Sequence, residues 1–250
     1  MMPLTEAQRE FIITATLGLQ EISRRRKQKT FYNLFPDEDT VQDDGTVFHA
    51  RHKYAKHMEF FRVGAQYRER GFIAANRVGK TFSGGGYELA AHLTGEYPHW
   101  WGGRRFTRPI RAWAAGKTNE TVRDVLQPAL FGEIDHSTGR KAFSGTGIIP
   151  GARLGALTWK QGVSDMADTI RVRHVSGGWS KLGLKSYQQG RGSFEGTSQH
   201  VVLLDEEPPL DVYGECLIRT ATTGGIIMLT FTPLEGLSET VMQFMPRDDE

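Results

Sequence analysis

Residues 74–81 read Ala-Ala-Asn-Arg-Val-Gly-Lys-Thr, and these types at this spacing suit the binding of a nucleoside triphosphate. The phosphate-loop pattern is Gly, four residues, then Gly-Lys-Ser/Thr. Ala74 stands here where the first glycine usually does. Such a loop, made by Ala74, Ala75, Asn76, Arg77, Val78 and Gly79, points several backbone N–H groups at one spot. The dipole of the helix that follows adds positive potential. Gly79 allows a close backbone approach. Lys80 would place its ammonium on the β- and γ-phosphates, and the Thr81 hydroxyl would be a ligand of Mg2+. Arg77 has three readings: a contact to phosphate, a contact to a catalytic carboxylate, or a solvated loop side chain.

Val201, Val202, Leu203 and Leu204 form an apolar run that ends in Asp205 and Glu206. Asp205 would hold Mg2+ through its water shell, and Glu206 would orient and deprotonate the attacking water. Glu207 follows. Glu206 is preferred as the base because it is next to the metal-holding Asp. This Asp-Glu pair suits a hydrolysing site that carries its own base. The chain has no Asn-Lys-x-Asp element for guanine, so the nucleotide expected is ATP. A third run ends in Thr230, Phe231, Thr232 and Pro233. Either hydroxyl could sense the γ-phosphate there and pass its loss to the next segment. Gly116-Lys117-Thr118 repeats the Gly-Lys-Thr triplet, but the position five residues before Gly116 is Arg111. That triplet reads as a strand end at the sheet rim, not as a second nucleotide site. Upstream of the loop, Tyr54 could stack on adenine or simply pack in the core. Arg104, Arg105, Arg123 and Arg191 are candidates for an arginine finger given to a neighbouring subunit.

These groups need a sheet to bring them together. Short apolar runs without alternation at 71–75, 111–115, 201–204 and 226–231 suggest buried strands of a mostly parallel sheet. Helices are expected at 81–93, 119–130 and 238–245. Alternation around Ile170, Val172, Leu182 and Leu184, with Gly177-Gly178 between, predicts a hairpin. Residues 137–156, rich in Gly and Ser, read as a surface excursion. Thr5 and Gln8 make a capping box for a first helix with an apolar stripe at Phe11, Ala15, Leu19 and Ile22. That helix ends in Arg24-Arg25-Arg26-Lys27. An acidic, turn-rich linker follows, so the chain divides into an arm (1–45) and an ATPase domain (46–250).

Composition adds bounds. At 250 residues, 38% hydrophobic and 24% charged, the chain can build a sizeable core. The net charge of +2 does not by itself announce a nucleic-acid binder. Cys216 is the single cysteine, which excludes an internal disulfide and a cysteine-based zinc cluster. No apolar run reaches membrane-spanning length, and no signal peptide is visible.

Four segments, taken together and in order, resemble large terminase subunits of tailed double-stranded DNA bacteriophages. They are Asn-Arg-Val-Gly-Lys-Thr at 76–81, Leu-Thr-Gly-x-Tyr-Pro-x-Trp-Trp at 93–101, Leu-Asp-Glu-Glu-Pro at 204–208, and Thr-Phe-Thr-Pro at 230–233. The resemblance covers residues 50–235. It implies an α/β fold of the RecA-like ASCE P-loop NTPase type, with a mostly parallel central sheet flanked by helices, an added hairpin and an N-terminal helical arm. It implies an ATP-hydrolysing motor that drives viral DNA into a prohead, with ATP and Mg2+ as cofactors. Lys80, Thr81, Asp205 and Glu206 would keep the roles given above, and Thr230, Thr232 and Pro233 would be the coupling motif. The implied partners are double-stranded DNA, the portal protein, a small terminase subunit and further copies of the chain in a ring, usually a pentamer, with no membrane. The implied place is the host cytoplasm, transiently on the prohead and not in the mature virion. Family members also carry a C-terminal RNase H-like nuclease domain. With the chain ending at Glu250, no DNA cleavage is expected of it. Competing readings are another helicase-like DNA translocase, or a nucleotide-binding switch without turnover.

Overall fold

The computed structural model describes residues 5–42, 45–75, 78–136, 139–233 and 238–245. Asn76 and Arg77 of the phosphate-loop pattern lie outside the described residues. Seven strands form the main sheet: β1 (Glu69–Ile73), β2 (Arg111–Gly116), β3 (Leu154–Trp159), β4 (Ala167–Arg173), β5 (Trp179–Ser186), β6 (Val201–Asp205) and β7 (Ile226–Phe231). Their order across the sheet is β1-β7-β6-β2-β5-β4-β3. The first five in that order run parallel. β4 and β3 complete the sheet antiparallel. The expected hairpin is β4 and β5, with Arg173 opposite Trp179. This is the expected RecA-like layout, and one strand, β7, stands between the phosphate-loop strand β1 and the acidic strand β6.

The sheet is covered on both faces, and residue parity decides which side chain goes where. Ala112, Ala114, Val201, Leu203, Ile226 and Met228 enter one core. Trp113, Ala115, Val202, Leu204, Ile227 and Leu229 enter the other. The first core is closed by α2 (Ala55–Val63), α3 (Tyr87–Thr94) and α4 (Gln127–Phe131). The second is closed by α5 (Leu210–Ala221) and by Tyr187 and Phe194. By the same parity, Asp205 and Thr230 extend the rows of Leu203 and Met228, on the face where the phosphate-loop helix docks.

That helix does not begin as a regular α-helix. Lys80–Gly86 is π-helical and only then continues as α3. The run contains Gly84, Gly85 and Gly86. A Cβ on Gly85 would lie 2.5 Å from Leu203 Cδ1 and 2.9 Å from Thr230 Cγ2, so glycine lets this turn press against β6 and β7. The Tyr97–Trp101 turn packs back over α3. Trp101 is buried, Trp100 lies nearly parallel to Tyr87 at 6.2 Å, and Phe31 stacks on Tyr87 at 4.7 Å.

Two sequence expectations need correction. Residues 137–156 are not a surface excursion over their whole length. Ile148 and Ile149 are fully buried, and their N–H groups bond to the carbonyls of Ala129 and Leu130 beneath α4. The segment then runs into the edge strand β3. Within the arm, Phe31 and Phe35 belong to the first core by packing. The first helix, α1 (Glu6–Lys27), has its capping box at Thr5 and Gln8 but buries none of its residues.

Candidate active site

A cleft of about 820 Å³ opens at the carboxyl ends of the parallel strands, within the range of small-ligand sites. It is lined by residues from both halves of the motif set, among them Gly79, Lys80, Thr81, Asp205, Glu206, Thr230 and Thr232. Gly79 has φ +82°, a left-handed turn, and a Cβ there would strike the Ser83 hydroxyl at 2.3 Å. Glycine is therefore required at the bend that turns β1 into the helix.

The centre of the site is one carboxylate oxygen. Asp205 Oδ1 accepts the Thr81 hydroxyl at 2.7 Å and the Thr230 hydroxyl at 2.7 Å. Burial raises the Asp205 pKa, and the two hydroxyls oppose that shift. Lys80 is buried, which pushes its ammonium pKa down, while the Asp205 charge works against this. Its Nζ donates to Ala74 O (2.9 Å), Ala75 O (2.6 Å) and Thr232 Oγ1 (2.8 Å). Thr232 in turn donates to Ala74 O at 2.8 Å. The two threonines thus divide the work. Thr230 bonds the Asp205 carboxylate, and Thr232 bonds the Lys80 ammonium. Pro233 follows, exposed.

Glu206 follows Asp205 with φ +63°, in the left-handed region. This turns its side chain out of the strand to the cleft, where Oε2 accepts the Lys117 N–H at 3.2 Å. Glu207 instead takes the Ser238 hydroxyl. Both acids line the cleft, but they are held differently: Glu206 by the Lys117 N–H and Glu207 by Ser238. Gly116-Lys117-Thr118 ends β2, as read from the sequence. It also brings Lys117 and Thr118 into the same cleft as Lys80, which the sequence did not reveal. Tyr187 was missed as well. Its buried hydroxyl donates to the backbone carbonyl of Asp205 at 2.8 Å, with that of Glu206 at 3.2 Å, tying the end of β5 to the main chain that carries the two acids. No local spacing announces either contact, since each is made across strands.

Tyr54 does not line this cleft. It sits edge-on to Phe35 and His57, partly buried against the core. His57 Nε2 lies 3.0 Å from Ser83 Oγ, which donates to Gly79 O at 2.8 Å. Because the hydroxyl proton goes to Gly79, the histidine is the donor in this relay. Of the finger candidates, Arg104 bonds Gly224 O and Arg105 bonds Trp101 O. Arg123 pairs with Asp124, and Arg191 is held by Glu215 of α5.

The family model for the N-terminal part of terminase large subunits of the T4-like virus type matches residues 72–249. The chain belongs to the large terminase family. A curated relative of this terminase chain, the large terminase subunit of Salmonella phage P22, is 38% identical over 211 residues, covering 77% of the chain. The chain spans 41% of that relative's length. Solved structures similar to this terminase chain include the large terminase of the thermophilic bacteriophage D6E in complex with ADP. It has a TM-score of 0.45 and 14% identity over 72% of this chain and 38% of that one. A mutant ATPase domain of the Thermus phage P74-26 large terminase gives a TM-score of 0.43 and 15% identity over 69% of this chain and 62% of that one.

Donor chemistry decides whether Mg2+ fits this terminase site. The Thr81 hydroxyl and the Asp205 carboxylate are hard oxygen donors, few in number. Mg2+ is held in this way elsewhere, by one or two protein oxygens with water and substrate phosphate completing the shell. Among the described residues no group of three or more His, Cys, Asp or Glu could hold a metal ion by itself. The residues present therefore fit a metal that arrives with phosphate.

Proposed function

We propose that this chain binds ATP in the cleft between β1 and β6 and hydrolyses it, and that the turnover drives double-stranded viral DNA into a prohead. The observation that supports this most directly is the pair of hydroxyls, Thr81 from the phosphate loop and Thr230 from the coupling strand, on the single oxygen of Asp205. In this reading the Gly79 turn and the helix N-terminus cradle the phosphates. Lys80 leaves its carbonyl and Thr232 partners to neutralise the γ-phosphate. Thr81 and Asp205 hold Mg2+, which when bound offsets charge on the phosphate oxygens. Glu206, fixed by the Lys117 N–H, takes a proton from the attacking water. Loss of the γ-phosphate returns Lys80 to Thr232, and the strand end at Pro233 carries the change onward.

Membership of the terminase family supports the wider assignments: a ring of copies of this chain on the prohead, with the portal protein and a small terminase subunit as partners, in the host cytoplasm. Steady-state phosphate release tests the site. Glu206→Gln is expected to lower turnover by about 10²- to 10⁴-fold while a fluorescent nucleotide still binds. Lys80→Ala is expected to lose both. Turnover at the parental rate in either variant overturns the site.

A further inference from the structure

Three cations stand in register on the sheet, one on each of three adjacent strands. Arg111 of β2 pairs with Lys181 of β5, and Lys181 pairs with Arg171 of β4. All three are exposed. They share one face, because their neighbours Ala112, Leu182, Ile170 and Val172 are buried in the core on the other. Two more cations extend the row. Arg173 lies over the Trp179 ring at 5.7 Å, and Lys185, over the Trp113 ring at 4.7 Å, sits in the same groove as Arg111 and Lys181. Asp168 and Glu195 are the acids lining that groove. Among the described residues none of the three row cations has an ion-pair partner.

Like charges directly opposite in a sheet are destabilising. Lysines and arginines on an edge strand guard against aggregation, but the edges here are β1 and β3, and β4, β5 and β2 are interior. Edge protection therefore does not account for the row. A polyanion would.

We propose that this row is a docking surface for the phosphate backbone of duplex DNA, deepening the packaging reading on which it rests. Strands lie about 4.8 Å apart, so three of them span about 10 Å. One DNA strand presents a phosphate about every 3.4 Å of helix axis, so the row meets about three. The contact is electrostatic and blind to sequence. The surface is also wired to the cleft: β5 carries Lys181 and Lys185 and leads directly to Tyr187, whose hydroxyl holds the Asp205 carbonyl.

The test is anisotropy of a short fluorescent duplex titrated with the full chain between about 50 and 200 mM salt. In the triple variant Arg111→Ala, Arg171→Ala, Lys181→Ala, the slope of log K against log salt should flatten by about 2 to 3, at about 0.9 per lost phosphate contact. DNA-free ATP turnover should persist, and the melting temperature should hold or rise as facing like charges are removed. The control Lys29→Ala, Lys56→Ala, Arg62→Ala, three exposed cations elsewhere, should keep the parental slope. Should the triple variant misfold, Lys181→Ala alone should flatten the slope by about 1. An unchanged slope in the row variants, equal flattening in the control, or a parent that turns over ATP without binding duplex overturns the surface and leaves the hydrolysis reading standing. Parental turnover in Lys80→Ala overturns the hydrolysis reading instead.

Discussion

His57 acts on the nucleotide site without belonging to its motif. It reaches Gly79 through Ser83, behind the phosphate loop and away from the cleft. A side chain that donates one hydrogen bond at that point positions the loop. His57→Phe keeps the packing against Phe72 and Phe35 but removes the donor. Its nucleotide affinity should fall by about fivefold, matching a net hydrogen bond of about 1 kcal/mol, with kcat nearly unchanged. His57→Gln retains an N–H and should recover much of the loss. Equal affinities for the two variants would mean that His57 only fills space. Lys80, Thr81, Asp205 and Glu206 were legible in the sequence because each pair of neighbours has its own fixed chemistry and spacing. His57, Lys117 and Tyr187 were not, because their contacts join segments far apart in the chain. The second Gly-Lys-Thr was the one visible trace. Its strand end was read correctly, and its place in the same cleft was not.

At the scale of elements, β1 and α3 flank the phosphate loop and are clamped together by a buried ion pair. Arg70 of β1 contacts both oxygens of Glu88 in α3, at 2.7 and 3.0 Å, and donates to Phe60 O. His92, one turn on, lies 3.1 Å from Glu88 and 3.0 Å from the Tyr97 hydroxyl. Burial opposes the Glu88 charge, yet Arg70 and His92 together hold its pKa below the usual range. Removing one partner leaves a buried charge alone. Arg70→Met should therefore cost about 3 to 5 kcal/mol, while Arg70→Met with Glu88→Leu should cost much less. Denaturant unfolding of the two variants checks this, and equal losses would contradict a paired charge. The strands β1, β2, β6 and β7 were legible to within about two residues, because short apolar runs in a covered parallel sheet need no alternation, whereas the edge strand β3 was not. The π-helical start of the nucleotide-site helix was hidden. It lies where Gly85 presses on Leu203 and Thr230 and Gly84 on Phe72, contacts made across space. Ile148 and Ile149 were hidden too, since Gly and Ser around them signal turns whether or not a turn is covered.

For the molecule as a whole, acid should loosen the fold. His57, His92, His174 and His200 all have pKa values lowered mainly by burial. Each prefers to be neutral when folded, so the unfolded chain binds more protons below its ordinary pKa of 6.5. Their contribution is complete above that pH and declines as the pH falls through it toward the folded values. The melting temperature should drop between pH 7.5 and pH 5.5 (about one unit to either side of that pKa), and His92→Gln should make the drop smaller. A flat or rising profile would contradict this. The backbone at Glu206 has a consequence at the same scale. An L-residue with a branched or long side chain sits uneasily in that left-handed bend, at a cost of about 1 to 2 kcal/mol. Glycine would rest there freely. Given the role proposed for Glu206, heat tolerance and turnover ask for different amino acids at one position, and a laboratory selection for survival at high temperature alone would drift toward a sturdier chain with an idle engine.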